Sequence, residues 1–173
     1  RHWPSISSAG VAVATPGGSG ALALTLRNLL ERGQTVMTMA PYWGPYSTIA
    51  VEAGVKLETV PYPAPGEALD VGAWEQAMRD VLDAQGRLLF WLNDPCHNPT
   101  GRSLSRADRE TLLSVLRDIS YSGPVTLLLD LAYLDYARDP QEVEAALADY
   151  APCGAEGQVL VAASRSLSKA FTL

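Results

Sequence analysis

Residues 87–101 read RLLFWLNDPCHNPTG. From Leu88 to Leu92 every side chain is apolar, with no polar alternation. A strand of that kind is buried on both faces, the condition of a strand inside a parallel sheet covered by helices. The run stops at Asn93, and the loop that follows holds Pro95, Pro99 and Gly101, residues that end a strand in a shaped turn.

The same grammar recurs on either side. SGALALTLRNLLERG (19–33) has helical periodicity and Gly33 to close it, and TVMTMA (35–40) reads as a strand. WGPYSTIAVEAG (43–54) predicts a helix closed by Gly54, followed by the strand VKLETVPY (55–62). PYPAPGEALD (61–70) is linker-like, and its Asp70 can cap a helix reaching about Gln85. Beyond the central loop, the Ser105…Asp108 pair caps a helix to about Tyr121. VTLLLD (125–130), PQEVEAALADYA (140–151) and QVLVAAS (158–164) then give strand, helix and strand. This alternation predicts an α/β fold, a mostly parallel sheet with helices on both faces. Ligands of such sheets bind beyond the carboxyl ends of the strands. Four strand ends carry the unusual residues: PYWGPY (41–46), DPCHNPTG (94–101), Asp130, and the lysine-bearing SRSLSKAFTL (164–173).

Bulk properties exclude several classes. The 173 residues are 47% apolar and 18% charged, enough for a core and unlike a disordered chain. A net charge of −6 without a basic cluster argues against nucleic acid or an anionic membrane as partner. The apolar runs are too short to span a bilayer, and no basic start precedes an apolar signal core. Cys96 and Cys153 form neither a disulfide framework nor a metal-ligand spacing, so a reducing cytoplasm is the expectation. Arg1 at the start and the abrupt end at Leu173 lead us to expect the middle of a longer protein.

Each strand end has a chemistry. In TPGGSGAL (15–22), Gly17, Gly18 and Ser19 would offer backbone N–H groups and a hydroxyl at a helix N-terminus, an anion site. An ordinary capped turn has the same residues, and the Gly-Lys-Ser/Thr of a Walker loop is missing. Trp43, with Tyr42, can form the flat wall of a ligand site or pack into the core. Asn98 precedes a proline and can offer its amide to a ring oxygen, whereas His97 reads as structural. Asp130 closes an apolar strand, where a carboxylate is costly unless a cation or hydrogen bonds meet it. A protonated ring nitrogen is such a cation; a cap on the next turn is the plainer role. Tyr133 lies three residues on and can reach a phenolic oxygen. Lys169, if partly desolvated, would be a nucleophilic amine able to capture an aldehyde, with Ser164, Ser166 and Ser168 near it for a phosphate.

Together, these stretches resemble the large domain of fold-type I pyridoxal 5'-phosphate enzymes, specifically the class I/II aminotransferases. The motifs are Gly-Gly-Ser-Gly-Ala-Leu, Pro-Tyr-Trp-Gly-Pro-Tyr, His-Asn-Pro-Thr-Gly, Asp-Leu-Ala-Tyr and Ser-Arg-Ser-Leu-Ser-Lys-Ala-Phe, in this order from about Thr15 to Leu173. The resemblance implies that Lys169 forms the internal aldimine and shuttles the substrate's Cα proton. It implies that Asp130 pairs with the pyridine nitrogen, and that Tyr133 and Asn98 bond the phenolic oxygen. Trp43 would stack on the ring, and Gly18, Ser19 and Ser166 would hold the phosphate.

The reaction so implied moves an amino group from an amino acid, aspartate or aromatic in type, to a 2-oxo acid, in a cytoplasmic homodimer. The family's second phosphate arginine, its small domain with the carboxylate-clamping arginine, and its N-terminal segment have no counterpart here. Residues 1–173 are therefore expected to be the central part of the large domain, inactive alone. Three other readings stand beside this one: a carbon–sulfur lyase of the same fold, the cofactor-bearing effector domain of a transcription regulator, and a plain nucleotide-binding α/β module.

Overall fold

The computed structural model describes residues 10–137, 139–155 and 159–171. Gln158, expected to open the last strand, and the terminal residues Arg1 and Leu173 lie outside the described residues. The elements run α1 (Gly17–Leu29), β1 (Thr35–Ala40), α2 (Pro45–Ala53), β2 (Lys56–Pro61), α3 (Val71–Gln85) and β3 (Leu88–Leu92). There follow α4 (Arg106–Ser120), β4 (Val125–Asp130), a 3-10 turn (Leu134–Tyr136), α5 (Pro140–Ala155), β5 (Val159–Ser164) and α6 (Ser168–Phe171).

The strands form one sheet in the order β2-β1-β3-β4-β5, and every described pairing is parallel. The expected α/β architecture holds, and the sheet is wholly parallel among the described residues. Side chains on each strand alternate between two cores, as a pleated strand requires. Met37, Phe90, Leu127 and Leu129 join Trp74, Met78, Leu116 and Ile119 of α3 and α4 on one face. Val36, Leu89, Trp91 and Leu128 join Leu22 and Leu26 of α1 and Tyr46 and Ile49 of α2 on the other. β3 and β4 are buried at every position, which explains the unbroken apolar sequence of β3 and the apolar run Leu127–Leu129 of β4. The outer strand β2 instead exposes Lys56, Glu58 and Pro61, residues that discourage pairing at an edge.

The capping signals are used as their chemistry dictates. Asp70 accepts from Ala73 N at 3.1 Å, and Ser105 accepts from Asp108 N at 3.1 Å. Gly54 closes α2 in the left-handed region at φ 80°. One expected boundary is corrected: α1 ends at Leu29, not at Gly33. Leu30 turns extended (φ −126°, ψ 147°) and is buried in the α1/α2 core, so burial of an apolar side chain draws the chain out of the helix early. Gly33 serves the turn that follows, with φ +87° and its N–H donating to Gly54 O at 2.8 Å.

The order of strands fixes where a ligand can sit. From β1 the chain moves outward to β2, then returns to place β3 on the other side of β1. Connections diverge at such a switch point and leave a crevice at the strands' carboxyl ends. The loops after β1 and β3 flank that crevice, with the ends of β4 and β5 beside them.

Candidate active site

Asp130 is the last residue of β4 and is 6% exposed. Its Oδ2 accepts from Tyr46 Oη at 2.6 Å, and its Oδ1 accepts from Ala132 N at 3.1 Å. Burial pushes the Asp130 carboxyl above the usual carboxylate range, and these two donors work against that rise. Among the described residues no cation pairs with Asp130. Tyr46 stays a donor, because burial, and then the Asp130 charge, push its phenol far up. Its ring stacks on Trp91 with centroids 3.6 Å apart, and Trp43 meets it edge-on at 5.8 Å.

Replacing Tyr46 by phenylalanine keeps the stack and deletes one hydrogen bond to a buried charge. Such bonds contribute about 1.5–3 kcal/mol, so Tyr46→Phe should lower the unfolding free energy measured in urea by that amount and raise the Asp130 pKa further. A loss below about 0.5 kcal/mol would show that the bond does not hold Asp130.

Asn93 does at the end of β3 what Asp130 does at the end of β4: it closes an apolar run with a buried polar side chain. Its Nδ2 donates to Asp130 O at 2.8 Å, and its Oδ1 accepts from Asn98 N at 2.7 Å. That ties the loop after β3 to the end of β4. Asn98 Nδ2 then donates to Tyr133 Oη at 3.2 Å, so the two residues expected to share one oxygen are neighbours.

His97 packs inside the loop after β3. It is 2% exposed, stacks on Tyr62 at 4.2 Å, and its Nδ1 lies 2.9 Å from Thr100 Oγ1. Burial, and then the Arg102 charge, push its pKa down to about 4. In the same loop, burial pushes the wholly buried Asp94 up to about 6, although Leu104 N and Tyr150 Oη both donate to it at 2.8 Å. The two shifts have opposite consequences. Between about pH 4 and 6 the folded state holds an extra proton on Asp94, so that contribution to stability is lost as pH rises through 6. Neutral folded His97 costs stability as pH falls from 6.5 towards 4, because the unfolded chain takes up the proton instead. The two slopes oppose each other in the native protein. In Asp94→Asn the first vanishes, so the stability of the native protein relative to this variant should fall between pH 4.5 and 6.5. Urea unfolding of both proteins at the two pH values checks it, and a constant difference would contradict it.

The fourth strand end faces the start of α1. Pro16 occupies the N-cap position, Gly17 N donates to Thr15 O at 2.8 Å, and among the described residues no side chain caps the helix. Gly18 lies against Ser166: a Cβ on it would sit 3.3 Å from the Ser166 Cβ. Ser164 Oγ donates to Gly18 O at 3.5 Å, while Ser19 is exposed on the first turn. An uncapped N-terminus beside a serine loop is suited to an anion.

Lys169 departs from expectation in one respect. It is exposed rather than partly desolvated. Its segment projects past the end of β5, where Leu167 is 57% exposed, and the contacts that reach the lysine come from the turn after β4. Lys169 Nζ lies 5.5 Å from the centroid of the Tyr133 ring. The structure thus gathers Asp130, Tyr133, Asn98 and Lys169, brings Gly18 to Ser166, and joins Trp43 to Asp130 through Tyr46. Tyr46 and Asn93 were not assigned from sequence. Asn93 had a signal, a polar residue ending an apolar strand.

The structure is a parallel α/β sheet of the switch-point type, with a helix N-terminus that lacks a side-chain cap at one strand end and a buried carboxylate at another. The chain belongs to the class I and II aminotransferase family: the family model described as "Aminotransferase class I and II" matches residues 5–173. It is 33% identical over 165 residues to an aromatic-amino-acid aminotransferase of Pseudomonas aeruginosa, covering 94% of this chain and 38% of that protein. An aminotransferase structure from Anaerococcus prevotii matches with a TM-score of 0.83 and 26% identity, over 92% of this chain and 39% of the other. An aromatic-amino-acid aminotransferase from Burkholderia pseudomallei, covalently bound to pyridoxal phosphate, matches with a TM-score of 0.66 and 25% identity, over 92% and 38%. The chain spans about 38% of the length of the curated relative it matches. Among the described residues no helix is long and apolar enough to cross a membrane.

Proposed function

We propose that this chain is the central part of the large domain of a pyridoxal-phosphate-dependent aminotransferase. The reading extends to a cytoplasmic homodimer acting on an amino acid and a 2-oxo acid, with an aspartate or aromatic donor favoured. The observation that carries it is Asp130: a buried carboxylate, held by two donors, with no cation partner among the described residues. A protonated pyridine nitrogen fits that vacancy of charge, and the uncapped start of α1 fits the cofactor's phosphate. The P. aeruginosa relative's name supports the aromatic side of the substrate reading.

When bound, pyridoxal phosphate supplies a ring that withdraws the electron pair left when a substrate loses its Cα proton. The chain's residues would do the rest. Gly18, Ser19 and Ser166 would hold the phosphate, and Trp43 would wall one face of the ring. Asp130, steadied by Tyr46, would keep a proton on the ring nitrogen. Asn98 and Tyr133 would orient the phenolic oxygen. Lys169 would hold the aldehyde carbon until substrate displaces it, and its freed amine would then move the Cα proton.

Product analysis on the intact protein tests the reading. With an amino acid and the protein's bound cofactor alone, one equivalent of 2-oxo acid should form per site, and turnover should need an added 2-oxo acid. Continuous release of pyruvate and ammonia without an acceptor would replace this reading with lyase chemistry.

A further inference from the structure

We propose that the turn Tyr133–Tyr136 is a clamp that sets the position of Lys169, with Asp135 and Tyr136 as positioning residues. The inference rests on the reading of Lys169 given above. Backbone pairing between β4 and β5 ends at Asp130 and Ser164, with Leu131 N donating to Ser164 O at 2.9 Å. Past that point the two loops are joined by side chains. Arg165 Nη2 donates to both Asp135 oxygens, at 3.1 and 3.0 Å. Tyr136 Oη donates to the backbone oxygen of Lys169 at 3.0 Å. Tyr133 presents its ring to Lys169 Nζ and meets Tyr136 edge-on at 5.9 Å. Three residues of this turn, Tyr133, Asp135 and Tyr136, thus grip the lysine segment at the Lys169 amine, at Arg165 and at the Lys169 backbone.

The need for a clamp follows from the segment itself. Lys169 is exposed, so core packing does not fix its direction. α6 is four residues long, too short to be stable by its own hydrogen bonds. A misplacement of about 1 Å at a reacting group costs on the order of 10²-fold in rate, whereas a half-exposed ion pair contributes little to overall stability. Asp135 and Arg165 are 29% and 34% exposed. Their pairing should therefore be felt at the lysine far more than in the unfolding temperature. Because the turn begins three residues after Asp130, it also holds the lysine in register with the carboxylate and with Tyr133.

Charge reversal and charge exchange test the clamp in the intact protein. Asp135→Arg and Arg165→Asp each place like charges together, and the double variant restores an opposite pair. Each single variant should slow borohydride-trapped attachment of pyridoxal phosphate to Lys169 roughly tenfold and shift the pH at which the bound cofactor's absorbance changes. The double variant should return to within about threefold of the native rate. Amide hydrogen exchange across residues 165–171 in cofactor-free protein should speed up in the single variants and recover in the exchange. Native attachment rates in both single variants, or a double variant no better than either, would overturn the clamp. If the native protein attaches no cofactor at Lys169, the reading of Lys169 fails, and exchange that is unchanged in the single variants overturns the clamp separately.

Discussion

Replacing Lys169 by alanine in the intact protein is expected to lower transamination on the order of 10⁴-fold, with the fold unchanged. Two functions are lost at once: the amine that holds the aldehyde carbon and the base that moves the Cα proton. General acid–base work alone contributes about 10²–10⁴-fold, so the loss of both sits at or beyond the upper end. Lys169 is exposed and its described contacts are to the Tyr133 ring and, through its backbone, to Tyr136. Removal of its side chain should therefore change stability by less than about 0.5 kcal/mol, as for other surface substitutions. Turnover and thermal unfolding measured on the same preparation separate the two effects. Unimpaired turnover in Lys169→Ala would end the proposal.

The second large effect is expected at Asp130. Asparagine there keeps the size of the side chain and removes its charge. A positive ring nitrogen would then lose its partner in a buried site, and breaking a buried pair costs about 3–5 kcal/mol, or roughly 10²- to 5 × 10³-fold. Part of the loss should appear as weaker cofactor binding and part as slower turnover, because the proton on the ring nitrogen is needed for electron withdrawal. Tyr46 and Ala132 N both donate to the carboxylate, and an amide can accept from only one of them in place. Asp130→Asn should therefore also be less stable than the native protein without cofactor. Cofactor titration and steady-state rates check the prediction. Rates and affinity within about twofold of native would mean that no cation meets Asp130.

Much of the fold was legible because each strand and helix is locally consistent. The apolar runs of β3 (Leu88–Leu92) and of β4 (Leu127–Leu129) announced burial on both faces, and Asp70, Gly54 and Ser105 marked helix ends through capping chemistry. The end of α1 was not legible. Gly33 is a good stop signal, but the core claimed Leu30 first, and that depends on packing against α2. In the site, Asp130 stood out as a charge ending an apolar strand, and Asn93 carries the same mark in weaker form. Tyr46 could not be read, because its bond to Asp130 spans 84 positions and exists only once α2 lies on the sheet. Nor could the surroundings of Lys169. Desolvation depends on what covers a segment, and sequence spacing does not specify that. The Arg165–Asp135 pair is hidden for the same reason, since both residues read as ordinary surface charges until β4 and β5 are adjacent.

The claim on which everything else rests is that Lys169 is the residue to which the cofactor attaches. The intact protein, incubated with pyridoxal phosphate, reduced with borohydride and digested, tests it directly by peptide mass. The added cofactor mass is expected on the peptide containing Lys169, with the protein's other lysine-bearing peptides unmodified. A folded protein that binds the cofactor and yields the mass on Lys56, or on no lysine, would contradict it.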